Sequence, residues 1–374
     1  MDMDFTFSLP VKIVFGKDKL NKLASILEES GLDGGLLVSD PVFAENGLAD
    51  KVIGLAKGRI IGCFSQLSPN PDVAEVDACV QTIRTQNAKF LIALGGGSSM
   101  DCAKAASVVL GTDKSTRYFH SEKGTLTSTG LPLVAVPTTA GTGSEVTNVA
   151  VLTDAAKKIK GPMASDRMYA RLALIDPVLT VSVPPRVTAS TGLDVLSHAL
   201  EGYWSRNHQP ICDALAIYAA DLVFRFLPAA YQDGGNLNAR EQMCIASLLA
   251  GLAFAHPKTA ASHACSFPLT NVYHLPHGEA CAFTLDRLIV LNAEAEGGRV
   301  EAFARAVGFT NAKAMAERTL EMKKAMGMRC SLTEAGIAET DLGQLVELCQ
   351  HPNLLNNPVE MTKERLLTMF ESLK

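Results

Sequence analysis

The sequence has no CxxC pair, and its nine cysteines (63, 79, 102, 212, 244, 265, 281, 330 and 349) are scattered and odd in number. That excludes a disulfide framework and reads as reduced thiols, most of them small core residues. No apolar run approaches about 18–20 residues, so no segment reads as a membrane span. The first residues carry acids where a secretory leader carries Lys or Arg. A net charge of −5 gives no basis for a nucleic-acid or anionic-membrane partner. The GxGxxG fingerprint is missing too, as are internal repeats and low-complexity tracts. These absences point to a cytoplasmic globular protein.

The chain has 374 residues, and a single core rarely grows past about 250–300, so two domains are expected. The first half alternates short apolar or β-branched runs (11–15, 36–38, 60–64, 90–94, 133–136) with helical patterns such as 17–29 and 73–86. Strand, helix, strand at this rhythm implies a parallel sheet covered by helices. Pro184 and Pro185 stop the pattern. Beyond them, 213–227, 240–254 and 298–307 repeat apolar residues at helical spacing, with no strand signal. The expected architecture is an α/β N-terminal dinucleotide-binding domain over residues 1–182 and an all-α domain over 183–374. A cleft between two such domains is a favoured ligand site.

Gly95, Gly96, Gly97 and Ser98 lie between an apolar strand and a helix. Consecutive glycines there let backbone N–H groups approach a pyrophosphate, and the helix N-terminus adds partial positive charge. A plain structural turn is the competing reading. A second polar loop, with Thr138, Thr139, Thr142 and Ser144, also follows a strand. Two such loops at strand carboxyl ends suggest a dinucleotide. Asp40 closes an earlier strand, where an acid can bond an adenosine ribose and repel a 2′-phosphate; a turn-starting Asp before Pro41 is the alternative.

In the helical half, Asp194 and His198 stand at i, i+4, on one helix face. His263 and His277 follow; on one straight helix they would be about 21 Å apart, so the chain must fold back, and Pro276 supplies the break. One carboxylate and three imidazoles suit Fe²⁺ or Zn²⁺. His274 competes with His277 by spacing alone, and His208 and His256 are weaker candidates. Cys265 and Cys102, close to these motifs, are candidates for thiols whose alkylation inhibits, against inert burial.

In order, Gly95-Gly-Gly-Ser-Ser-Met-Asp-Cys-Ala-Lys104, Pro137-Thr-Thr-Ala-Gly-Thr-Gly-Ser-Glu145, Thr191-Gly-Leu-Asp-Val-Leu-Ser-His-Ala-Leu-Glu201 and Pro276-His-Gly278 resemble the iron-containing (group III) alcohol dehydrogenase family. The resemblance implies NAD(H), with Asp101 and Lys160 joining the cofactor residues, and Fe²⁺ or Zn²⁺ on Asp194, His198, His263 and His277. It makes His274 a bystander and implies a homo-oligomer, a dimer or larger. The family often has a second histidine where this chain has Phe267, so no imidazole relays a proton there. Lys258 to Thr270 and Asn356-Asn-Pro-Val359 look more like the phosphonoacetaldehyde reductase branch. The implied activity is a metal-dependent, NAD(H)-linked interconversion of a small alcohol and aldehyde. Phe254, Lys258, Thr259 and Phe267 are candidate pocket residues. Lys258 is placed about one turn before His263, with Thr259 on that ligand's face, where an ammonium could hold a sulfonate or phosphonate tail. A metal- and NAD-dependent cyclase similar to dehydroquinate synthase is the alternative enzyme. A non-enzymatic metal-binding scaffold is the alternative class.

Overall fold

The structure is a computed structural model that describes residues 4–295 and 297–374; the acidic start at residues 1–3 lies outside the described residues. Eight strands are present among the described residues: β1 (Lys12–Phe15), β2 (Gly35–Ser39), β3 (Ile60–Phe64), β4 (Phe90–Gly95), β5 (Leu133–Pro137), β6 (Val149–Asp154), β7 (Ile159–Ala164) and β8 (Leu172–Ile175). Six form a sheet in the order β1-β8-β5-β4-β2-β3, every pair parallel. The central strands β2, β4 and β5 are buried along their whole length, which is why they read as continuous apolar runs and not as alternation. Chain order reverses between β2 and β4, so the carboxyl ends of these two strands form the switch point where ligands bind in open α/β sheets.

Helices α1 (Val73–Gln86) and α2 (Gly97–Val109) flank β4 in sequence. A capping box at Asp72 and Glu75 starts α1. β6 and β7 form a separate antiparallel hairpin, which the sequence reading did not anticipate.

From Pro185 onward the described residues are helical, with no strand. The elements that matter are α3 (Pro185–Trp204), α4 (Pro210–Gln232), α5 (Leu237–Ala255), α6 (Ala261–Asn271) and α7 (His277–Phe283). Proline occupies the first turn of α3 and of α4, where its missing N–H costs nothing. Their apolar faces, together with Phe283, Phe303 and Phe370, make one continuous core.

The chain divides into two compact units. One is residues 8–139 with 144–180; the other is 181–374 with the segment before Ser8 and Ala140–Gly143. The division differs from a single cut near 182 because Gly141 and Gly143 lie against Thr191 and Gly251 of the helical unit.

Candidate active site

In the α/β unit the first cluster forms at the switch point. Gly95 has φ +153°, and a Cβ there would stand 2.3 Å from Ser99 Oγ and 2.5 Å from Asp40 Oδ2, so only glycine fits. The Asp40 carboxylate closes this turn. Its Oδ2 accepts from the Gly96 N–H at 3.2 Å and its Oδ1 from the Ser99 hydroxyl at 2.7 Å. The Thr138 N–H donates to the Gly95 carbonyl at 3.0 Å, tying the ends of β4 and β5 together. Ser98 Oγ accepts from the Asn70 N–H, and Lys160 Nζ donates to Asn70 Oδ1 at 2.9 Å. Asn70, which the sequence did not mark, therefore links the glycine turn to the β7 lysine.

Asp101 and Ser144 bond to each other. Asp101 accepts from the Ser144 hydroxyl at 3.1 Å and the Val151 N–H at 3.0 Å, while Lys104 Nζ donates to Ser144 Oγ, Thr147 Oγ1 and the Val149 carbonyl. Burial pushes the Asp101 carboxyl up to about 6 and the Lys104 ammonium down to about 8. These bonds knit α2 to β6 and the preceding turn, contacts that local spacing does not reveal. Thr142 lies in the segment grouped with the helical unit, and Thr138, Thr139 and Ser144 lie in the α/β unit.

The second cluster lies in the helical unit. Asp194, His198 and Glu201 sit at i, i+4 and i+7 of α3, on one face. Glu201 is fully buried; its Oε1 accepts from the N–H groups of Ala260, Ser262 and His263, capping the start of α6. Its Oε2 accepts from His263 Nδ1. With Nδ1 so engaged, Nε2 is the His263 nitrogen turned toward the rest of the cluster. It faces His198 Nε2 at 3.0 Å and Asp194 Oδ1 at 3.7 Å; Asp194 Oδ1 is 4.0 Å from His198 Nε2. Phe254, at the end of α5, stacks on the His198 ring at 4.2 Å and 11°.

His277 opens α7, with Pro276 before it. The chain folds back through close contact between α7 and α3. A Cβ on Gly278 would stand 2.1 Å from the Ser190 carbonyl oxygen, and the Glu279 N–H donates to Ser190 Oγ at 3.0 Å. The His277 and His263 rings are 5.7 Å apart. Donor atoms of Asp194, His263, His277 and Cys281 all fall within 4.8 Å of one another.

The cluster fits a cation. Asp194 is 2% exposed, yet its Oδ1 has no hydrogen-bond partner among the described residues. Burial pushes its carboxyl up to about 6. Burial and the neighbouring His263 and His277 push the His198 imidazole well below its usual value. A carboxylate and three imidazoles facing one buried point are the donor set of a borderline divalent ion.

The other three candidate histidines are accounted for. His274 is exposed at φ +56°, His208 bonds Asp213, and His256 packs on Phe7. The sequence reading of Lys258 and Thr259 is corrected: α6 begins at Ala261, so neither shares a helix face with His263. Lys258 is exposed at φ +68° and its Nζ donates to the Ala255 carbonyl, the last of α5, at 2.7 Å. Thr259 is held by Asn353 and Asn356. Phe267 packs on His351, ring centroids 4.6 Å apart. Cys102 and Cys265 are fully buried; a hydrogen bond with Cys79 and then burial raise the Cys102 thiol, and a hydrogen bond with Cys349 and then burial raise the Cys265 thiol, which supports the inert reading over the reactive one.

A parallel α/β unit with a glycine turn at its switch point, followed by an all-helical unit that gathers a carboxylate and three imidazoles, defines a dehydroquinate synthase-like architecture with a site fit for a metal ion. Within that class the chain belongs to the iron-containing alcohol dehydrogenase family. The family model described as iron-containing alcohol dehydrogenase matches residues 10–177, and the model of the family's C-terminal part matches 188–373. The chain is 32% identical over 372 residues, 98% of its length and 97% of the relative's, to alcohol dehydrogenase 4 of Saccharomyces cerevisiae. It is 48% identical, with a TM-score of 0.97 over 100% of this chain and 99% of the other, to sulfoacetaldehyde reductase of Bifidobacterium kashiwanohense, solved in complex with NAD+. An iron-containing alcohol dehydrogenase of Thermotoga maritima is 33% identical, with a TM-score of 0.85 over 99% of both chains.

Proposed function

We propose that the chain is an NAD(H)-linked, iron-dependent aldehyde reductase whose substrate is a two- or three-carbon aldehyde carrying an anionic tail, a sulfonate or phosphonate. The observation that carries the reading is the buried group of Asp194, His198, His263 and His277, in which an orphaned carboxylate oxygen faces imidazole nitrogens. When bound, the metal supplies Lewis acidity to a carbonyl oxygen and the nicotinamide supplies the hydride.

The chain's own residues do the rest. Glu201 holds the His263 tautomer, and Phe254 shields one face of His198 from water. Asp40 and the turn at 95–97 shape the phosphate and ribose site, with Thr138, Thr139 and Lys160 around it. Phe267 offers no proton at the position where relatives of this family often have histidine, so proton exchange runs through water. The anionic tail is supported by the 48% identity to the sulfoacetaldehyde reductase. Lys258 and Thr259 remain the candidate pocket residues for it, with the Lys258 ammonium donating to the Ala255 carbonyl. A cytoplasmic location and a homodimeric or larger assembly belong to the same proposal. No described helix is long and apolar enough to cross a membrane, and none of the nine cysteines is in a disulfide.

The test is a kcat/KM comparison of sulfoacetaldehyde, phosphonoacetaldehyde and propanal with NADH and the iron-loaded protein. The anionic aldehydes are expected to lead by roughly ten- to hundredfold, the scale of one partly desolvated charge contact. A lead for propanal sinks the anionic-tail reading, and no turnover of any aldehyde sinks the reductase.

A further inference from the structure

One further donor lies inside the cluster. Cys281 is one turn past His277 on α7, so the helix that delivers the imidazole brings the thiol to the same face. Its Sγ is 3.8 Å from His277 Nε2. It completes a group of four, with Asp194, His263 and His277, whose donor atoms lie within 4.8 Å of one another. A second observation concerns another donor: the buried Asp194 Oδ1 has no hydrogen-bond partner among the described residues and faces the same group.

The spacings are uneven, from 3.0 Å between His198 and His263 to 4.0 Å between Asp194 and His198. Donors around one tetrahedral ion, with bonds of about 2.0–2.3 Å, stand roughly 3.3–3.7 Å apart. Cys281 Sγ to His277 Nε2 at 3.8 Å and Asp194 Oδ1 to His263 Nε2 at 3.7 Å are close to that range. His198 and His263 are tighter, their Nε2 atoms 3.0 Å apart. That is the spacing of neighbouring positions around an ion of higher coordination number, about 3.0 Å.

We propose that Cys281 is a fifth protein donor and gives this centre two ligand sets. Asp194, His198, His263 and His277 serve Fe²⁺. Asp194, His263, His277 and Cys281 serve thiophilic ions such as Zn²⁺ and Co²⁺, because thiolate selects softer cations. Coordination replaces the S–H bond with a sulfur–metal bond and releases one proton to solvent; no electron moves. The inference rests on the cluster being the metal site, as proposed above.

The experiment loads the metal-stripped full chain with one equivalent of Co²⁺, in wild type, Cys281→Ser and Cys281→Ala, and records binding stoichiometry and the near-ultraviolet spectrum. Wild type is expected to show a thiolate-to-cobalt charge-transfer band. Both variants should bind Co²⁺ at one equivalent without the band. In competition, the Zn²⁺-over-Fe²⁺ preference of Cys281→Ser should fall by about tenfold or more. Wild-type Co²⁺ binding without the band, or a band that persists in both variants, overturns the fifth donor and leaves the four-ligand site standing. Failure of wild type to bind Co²⁺, Zn²⁺ or Fe²⁺ overturns the metal site itself, and the inference with it.

Discussion

A carboxylate that accepts three backbone N–H groups and an imidazole N–H, as Glu201 does, is held in one orientation from two sides. It ties the start of α6 to α3 and fixes which His263 nitrogen faces inward. Glu201→Gln keeps the volume but removes the charge and one acceptor. Metal affinity should fall by about 10–100-fold, the usual effect of losing such an outer partner, with the protein still folded. Competition with a chelating dye reads this directly, and an unchanged affinity would remove Glu201 from the site. At Asp40 the prediction is one of selectivity. A carboxylate beside a 2′-phosphate disfavours NADP(H) by roughly ten- to hundredfold. Asp40→Gly should narrow that gap, and it should also raise KM for both cofactors, because the same carboxylate fastens the glycine turn. Equal efficiency of wild type with NADH and NADPH would end the argument.

At the scale of elements, positions are set by close contacts that only small residues allow. Gly278→Ala puts a methyl 2.1 Å from the Ser190 carbonyl, which is backbone and cannot turn away. The overpacking should cost about 1–3 kcal/mol and move His277 off the cluster, so a lower Tm and weaker metal binding should appear together. An Ala variant with wild-type Tm and metal content would show that α7 reaches α3 without this constraint. The β6–β7 hairpin, which carries Lys160, is fastened by Asp154. Arg117 donates to it through two nitrogens, and Ser121 and the Lys157 N–H add to the hold. The Arg117 hydrogen bond holds the Asp154 carboxyl down at about 2. A depressed carboxylate stabilises the fold fully above its unfolded value near 4, and that contribution is lost as pH falls from about 4 through 2. The stability difference between wild type and Asp154→Asn should therefore be constant above about pH 5 and shrink toward pH 2. Chemical unfolding across that range measures it, and a difference independent of pH contradicts the assignment.

For the whole molecule, an ion bound by α3, α6 and α7 bridges three helices of one core, so it stabilises the folded state by mass action. Chelation should lower Tm, and added Fe²⁺ or Zn²⁺ should restore it in a concentration-dependent way. A Tm that ignores the metal would mean that the cluster holds none. Light scattering on the purified protein checks the proposed assembly, and a strictly monomeric mass removes it.

The α/β half and the helical half follow from period alone: buried strands read as apolar runs, and 3.6-residue repeats follow Pro185. Asp194 and His198 share a face for the same local reason, since i, i+4 on a helix is fixed geometry. Glu201, at i+7, stood on that face as well, but nothing in its spacing announces a partner 62 residues away. What only the folded chain decides is long-range. Asp101 and Ser144 turn inward to meet Lys104, and Thr142 joins the helical unit. Lys258 caps α5, because α6 starts two residues later than a helix drawn through Thr259 would require. Cys281 enters the donor group because α7 is pressed against α3 at a glycine. Local period determines which residues lie side by side along one helix. Which helices then meet depends on packing across the core, and the sequence between them carries no measure of that distance.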